Sequence, residues 1–122
     1  MKRIIMDLDG TLTVPGTGDY ASVQPNLDVV AQLRVYREMG FEIVIHTARN
    51  MRTHQSNVGK ITAHTVPVIL EWLAKHDIPY DEIFVGKPWC GTDGFYVDDR
   101  ALRPDEFASL SPEEVRALLK MD

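Results

Sequence analysis

Four short runs of branched or aromatic residues, each ending in groups able to hold a cation or an anion, constrain this chain more than any other feature. They are Ile4-Ile5-Met6 before Asp7, Ile43-Val44-Ile45 before His46-Thr47, Glu82–Val85 before Gly86-Lys87, and Gly94–Val97 before Asp98-Asp99. Runs of this length and type read as buried strands. Between the first two, Val29, Leu33 and Tyr36 recur at near-helical spacing in a segment that starts at Asn26 or Asp28 and reaches Met39, with Gly40 as its C-cap. A second helix is predicted over Val66–Lys75, with Val66, Ile69, Leu70 and Leu73 on one face and Pro67 tolerated in its first turn. Strand, helix, strand implies a parallel pair with a right-handed crossover, so the fold class is α/β. Near the end, Ser111-Pro112-Glu113-Glu114 forms a capping box that opens a helix through Lys120. Residues 12–25, with Pro15, Gly16, Gly18 and Pro25, read as a loop, either a flap beside a site or an inert connection. Residues 49–64 are polar, and Arg49 to Lys60 reads as a second loop.

The 122 residues fit one domain spanning 1–122, and 44% hydrophobic with 25% charged residues is an ordinary globular composition. A net charge of −5 gives no support for nucleic-acid or anionic-membrane binding. Cys90, the one cysteine, excludes an internal disulfide. Lys2-Arg3 followed by three apolar residues is too short for a signal-peptide core, and no run approaches the ~20 apolar residues of a membrane span. A cytoplasmic protein is the simplest expectation.

In a parallel sheet all the strand ends meet at one edge, where open α/β sheets bind ligands. Asp7 and Asp9 are one residue apart and can project the same way; Gly10 lets the chain turn and Thr11 offers a hydroxyl. Carboxylates brought in from separate strands repel unless a cation sits among them, and oxygen ligands select a hard ion such as magnesium. The hydroxyl of Thr47 and the ammonium of Lys87 suit an anionic phosphoryl group. Together these residue types point to a magnesium-dependent phosphate site. His46, His54, His64 and His76 have no convincing ligand spacing and read as structural or surface residues, and Trp89 and Cys90 as packing.

The set resembles the haloacid dehalogenase (HAD) superfamily of phosphohydrolases, through Asp7-x-Asp9-x-Thr11, then Thr47, then Lys87, then Asp98-Asp99, in that order over nearly the whole chain. Thr47-Ala48-Arg49-Asn50-Met51-Arg52 and Gly86-Lys87-Pro88-Trp89-Cys90-Gly91 look like a small subgroup labelled capsule-biosynthesis phosphatases. The resemblance implies a Rossmann-like three-layer sandwich with a mainly parallel sheet and no large cap domain. It implies Asp7 as nucleophile, Asp9 as acid and base, and Thr47 and Lys87 as holders of the phosphoryl oxygens. It also implies magnesium on Asp7, Asp9 and Asp98, with Asp99 acting through a water. The implied reaction is hydrolysis of a small phosphomonoester, such as a sugar phosphate of capsule biosynthesis. Candidate substrate contacts are Gly10, Thr11, Ala48, Arg49, Arg52 and Lys60, the last three on the loop that leaves Thr47. Capless members keep an open site and often cover it with a neighbouring subunit, which makes a homo-oligomer an expectation. A phosphorylatable receiver domain and a phosphomutase are the alternatives.

One spacing departs from the family. About eight residues separate the third strand from the fourth, whereas a parallel crossover normally takes a dozen or more. That link has room for a nearly straight connection but not for a helix, so Lys87 is expected on a loop.

Overall fold

The computed structural model describes residues 1–16 and 18–121; Thr17, within the expected 12–25 loop, and Asp122 lie outside the described residues. Strands β1 (Arg3–Met6), β2 (Glu42–Thr47) and β3 (Glu82–Val85) form a parallel sheet in the order β1-β2-β3. Its register sets Met6 beside Ile45 and Thr47 beside Val85. Helices α1 (Leu27–Glu38), α2 (Val58–His64), α3 (Val66–Lys75), α4 (Pro104–Ser109) and α5 (Pro112–Leu118) complete an α/β, Rossmann-like sandwich. No helix among the described residues is long and apolar enough to cross a membrane.

Local chemistry explains the main helices. Asn26 caps α1 by accepting from the Val29 N–H, and Gly40 closes it at φ +90°, a conformation that favours glycine. α1 buries Val29, Val30, Leu33 and Tyr36; α3 buries Ile69, Trp72 and Leu73. Leu70, expected on the buried face of α3, stands outside it and Trp72 takes that place. These side chains pack on one face of the sheet, against Ile4, Met6, Ile43, Ile45 and Ile83. Each fully buried aliphatic or aromatic side chain there contributes about 1.5–3 kcal/mol. Phe107 of α4 stacks on Tyr36 with ring centroids 5.4 Å apart, and the Gln32 amide donates to the Leu110 carbonyl at 2.9 Å, so the C-terminal helices are fastened to α1.

The other face is thinly covered. Ile5 is 56% exposed and Phe84 52% exposed. Between them Arg3 reaches across β2 to pair with Glu42 at 3.4 Å and Glu82 at 2.8 Å, above a buried Val44.

Two further expectations are corrected, and one element is added. The polar stretch 49–64 is not all loop, because Asn57 caps α2 by accepting from the Lys60 N–H. A second unforeseen helix, α4, starts at Pro104, where Glu106 accepts from the Arg103 N–H at 2.8 Å. Finally, Gly94–Val97 is not a strand: residues 92–100 are all exposed and irregular, and the sheet among the described residues has three strands. The segment has strand-forming residues but no strand edge beside it, and ladder hydrogen bonds need both.

Candidate active site

Asp7 leaves β1 at the carboxyl edge and enters a tight turn. The Leu8 carbonyl accepts from the N–H groups of Thr11, Leu12 and Thr13, while the Gly10 N–H donates to the Thr13 hydroxyl at 3.0 Å. Gly10 sits at φ +78°, which strains any side-chain-bearing residue. The turn brings the Thr11 hydroxyl back to donate to Asp7 Oδ2 at 2.9 Å. The other oxygen, Oδ1, lies 3.5 Å from Lys87 Nζ.

Lys87 is on a loop, as its spacing requires. The chain leaves β3 through Gly86 at φ +88°, where a Cβ would sit 3.1 Å from a methyl of Val58, and the Lys87 N–H donates to the Thr47 carbonyl at 3.2 Å. That bond ties the loop to the end of β2. The Lys87 ammonium also sits 4.4 Å from the centroid of the Tyr96 ring, and the Tyr96 hydroxyl donates to the Pro88 carbonyl. Burial, then Cys90 and Asp7, raises the Tyr96 phenol above its ordinary value. Burial, together with the Lys87 ammonium, lowers the His46 imidazole, and Asp7 partly opposes this.

Thr47 is buried at the end of β2, and its hydroxyl accepts from the Arg49 N–H at 3.0 Å. The turn through Ala48 then drives Arg49 inward, where it is only 4% exposed. Its guanidinium forks onto Asp9, Nε to Oδ2 at 3.1 Å and Nη2 to Oδ1 at 2.7 Å. The Tyr20 ring of the 12–25 loop lies over it at 4.0 Å. Arg49 Nη1 is buried with no partner among the described residues. A cleft of about 390 Å³ opens between Asp9, Gly10 and the loop residues Asp19, Tyr20 and Ser22.

The structure therefore gathers Asp7, Asp9, Thr11, Thr47, Arg49 and Lys87. Arg52 lies at the margin over the Trp89 ring, 5.4 Å from its centroid, and Lys60 is exposed in the first turn of α2. Asp98 and Asp99 are exposed, and Asp98 Oδ1 accepts from the Arg100 N–H at 2.9 Å. Among the described residues no group of three or more His, Cys, Asp or Glu comes together as a cation site, so the acidic pair does not join Asp7 and Asp9. Tyr20 and Tyr96 were not foreseen as site residues. Their signal in the sequence is slight, a lone aromatic in a glycine- and proline-rich loop and one in an apolar run.

Comparison with solved structures places the fold. The chain is 65% identical to an MCSG target from Vibrio cholerae, known from a crystal structure, over 98% of both chains, with a TM-score of 0.96. Two structures of the Pnkp1/Rnl/Hen1 complex, one described as an RNA repair complex, match at 22% and 23% identity with TM-scores of 0.51 and 0.52. These cover 80% and 81% of this chain but only 30% and 28% of theirs, a likeness of fold alone. No family model and no curated protein matches the chain.

Proposed function

We propose, for a chain that belongs to one family with that Vibrio cholerae protein, that it hydrolyses phosphomonoesters through an aspartyl-phosphate on Asp7, as a capless HAD-type phosphatase. The observation that carries this reading is the 3.5 Å approach of Lys87 to Asp7 from a different strand end. A carboxylate flanked by a hydroxyl and an ammonium is arranged to attack a phosphorus centre whose oxygens need positive charge nearby.

The reaction divides among the residues as follows. An Asp7 oxygen bonds to phosphorus while the ester P–O bond breaks. The departing alkoxide takes a proton from Asp9, which later removes one from the water that attacks the aspartyl-phosphate. That second attack releases inorganic phosphate and restores Asp7. Lys87 stabilises the charge on the transferring oxygens, and Thr47 supplies a hydrogen bond at the same edge.

Magnesium is the proposed cofactor, since carboxylate oxygens suit a hard cation. The donors of one copy do not make its site: Asp9 is taken up by Arg49, and Asp98 and Asp99 do not join Asp7. For the substrate we favour a small anionic or hydroxyl-rich phosphomonoester, with a sugar phosphate of capsule biosynthesis as the specific candidate. The cleft beside Asp9, with Tyr20 at its wall, is where its body would lie, and Arg52 over Trp89 marks a second margin.

The deciding experiment is turnover of an aryl phosphate with magnesium, followed by a panel of sugar phosphates. Sustained release of phosphate supports a hydrolase. A single stoichiometric phosphorylation without turnover would indicate a receiver, transfer between two positions of one sugar a phosphomutase, and no reaction at all would overturn the reading.

A further inference from the structure

We propose that two copies of this chain exchange the segment 94–99, each laying it along the outer edge of the other's β1 and so delivering Asp98 of the partner subunit beside Asp7. The role given to Asp98 rests on the phosphatase reading; the exchange itself does not.

Two unfinished parts of the molecule fit one another. β1 is an edge strand, so its outer backbone groups have no strand partner, and an open edge is a template for pairing. The segment Gly94–Val97 has the residues of a strand and no pairing of its own. Phe95 is 80% and Val97 89% exposed, with Tyr96 less so between them, a period of two with nothing to bury against. Set parallel to β1 with Gly94 beside Arg3, the segment places Phe95 and Val97 on the face of Ile4 and Met6, where the core lies. Tyr96 falls beside the exposed Ile5, and Asp98 comes level with Asp7. A slip of one residue would turn the two most exposed side chains away from the core, so this register is specified by burial.

The link as folded is poorly placed to make this pairing with its own β1. A neighbour outside β1 lies three strand spacings from β3, ~14 Å, and a parallel strand must begin one strand length back, ~15 Å, so the direct path is ~20 Å. The link is also shorter than its residue count. It turns at Gly91 (φ +77°), and Gly94 packs so closely on the Cys90 carbonyl that a Cβ would lie 2.1 Å from that oxygen. With Gly94 held beside Cys90, residues 86–90 span most of the gap, a reach of ~18 Å at most, so that the path to its own β1 would need them almost fully extended. A second copy carries no such tether to this β1. Because each copy offers one segment and one β1 edge, a reciprocal exchange closes after two copies with both β1 edges paired. It also accounts for the carboxylates that one copy lacks around Asp7.

Three measurements decide the matter. Sedimentation of the wild-type chain should give a dimer. In a Cys90→Ser background, an Ile5→Cys chain mixed with a Tyr96→Cys chain of different tag length should form a covalent mixed dimer on mild oxidation, and neither should do so alone. Asp7→Asn and Asp98→Ala proteins should each be inactive, while unfolding and refolding them together should recover about a quarter of wild-type turnover: half the dimers are mixed, and one site of two is intact in each. A monomer at all concentrations, or a disulfide formed only within an Ile5→Cys/Tyr96→Cys double variant, overturns the exchange. A mixed disulfide without recovery of activity overturns the delivery of Asp98. If the wild type turns over no phosphate ester, the phosphatase reading fails and the mixed disulfide alone decides the exchange.

Discussion

Arg49 holds Asp9 by both carboxylate oxygens, at 2.7 and 3.1 Å, from a position almost wholly removed from solvent. An Asp9 engaged in this way offers both oxygens as acceptors and has neither free to carry a proton to a leaving group. If Asp9 acts as the proposed acid, proton transfer requires the fork to open, and a bound substrate anion that draws Arg49 toward itself would open it. The unpartnered Nη1 shows that the guanidinium has unused donor capacity in this state, at a cost of about 1–3 kcal/mol for a buried unsatisfied group.

Arg49→Lys keeps the charge but loses the fork. It should lower kcat/KM for the preferred phosphomonoester at least tenfold, with a much smaller change for a featureless aryl phosphate. Equal losses on both, in steady-state kinetics, would make Arg49 a scaffold residue without a share in recognition.

Asp7→Asn retains size and removes the nucleophilic charge. Turnover should fall to background while thermal unfolding shifts by no more than a few degrees, because the position is only partly buried. Near-normal activity in the purified variant would rule out the aspartyl-phosphate.

Lys87→Met preserves the stem over the Tyr96 ring and removes the ammonium from Asp7. Loss of one stabilising group of this kind costs ~10²–10³-fold in kcat. The expected loss is in that range, with KM changed far less, and an unchanged kcat would remove Lys87 from the site.

Asp81 contributes a pH dependence to the fold. Its carboxylate accepts from Arg37 Nη1 at 2.7 Å and from the Ile43 N–H at 2.8 Å, and these bonds, the Arg37 one foremost, hold it below the ordinary aspartate value. A depressed acid stabilises the fold above its unfolded value of about 3.9, and that contribution is lost as pH falls through the folded value. Asp81→Asn should lower Tm at neutral pH and flatten its decline on acidification. Parallel Tm-versus-pH curves for the two proteins would show that Asp81 contributes nothing.

What the sequence revealed follows from how locally each feature is encoded. α3 and β3 lie where their residues predict, because Ile69 with Leu73, and the run Glu82–Val85, carry their own period. Asp7, Thr47 and Lys87 could be assembled in advance because parallel topology brings strand ends to one edge. α2 and α4 were illegible because each buries a single side chain, Ile61 and Phe107, which cannot make a period. Gly94–Val97 misled for the opposite reason. Its composition suits a strand, yet pairing depends on which edge the chain can reach, and that is fixed by the turn at Gly91 and the close seat of Gly94 on Cys90.

The loop that carries Tyr20 has both its feet clamped. Thr13 bridges Pro25, and the indole of the fully packed Trp72 donates to the Val23 carbonyl at 2.7 Å. An insertion at the crown of such a loop leaves the clamps, and hence the turn at Asp7–Thr13, undisturbed. Loop closure adds only about 0.6 kcal/mol for each doubling of length. Selection can therefore lengthen, shorten or rewrite the crown, and on the phosphatase reading this would change which substrate is accepted while leaving the turn that carries Asp7 and Asp9 intact.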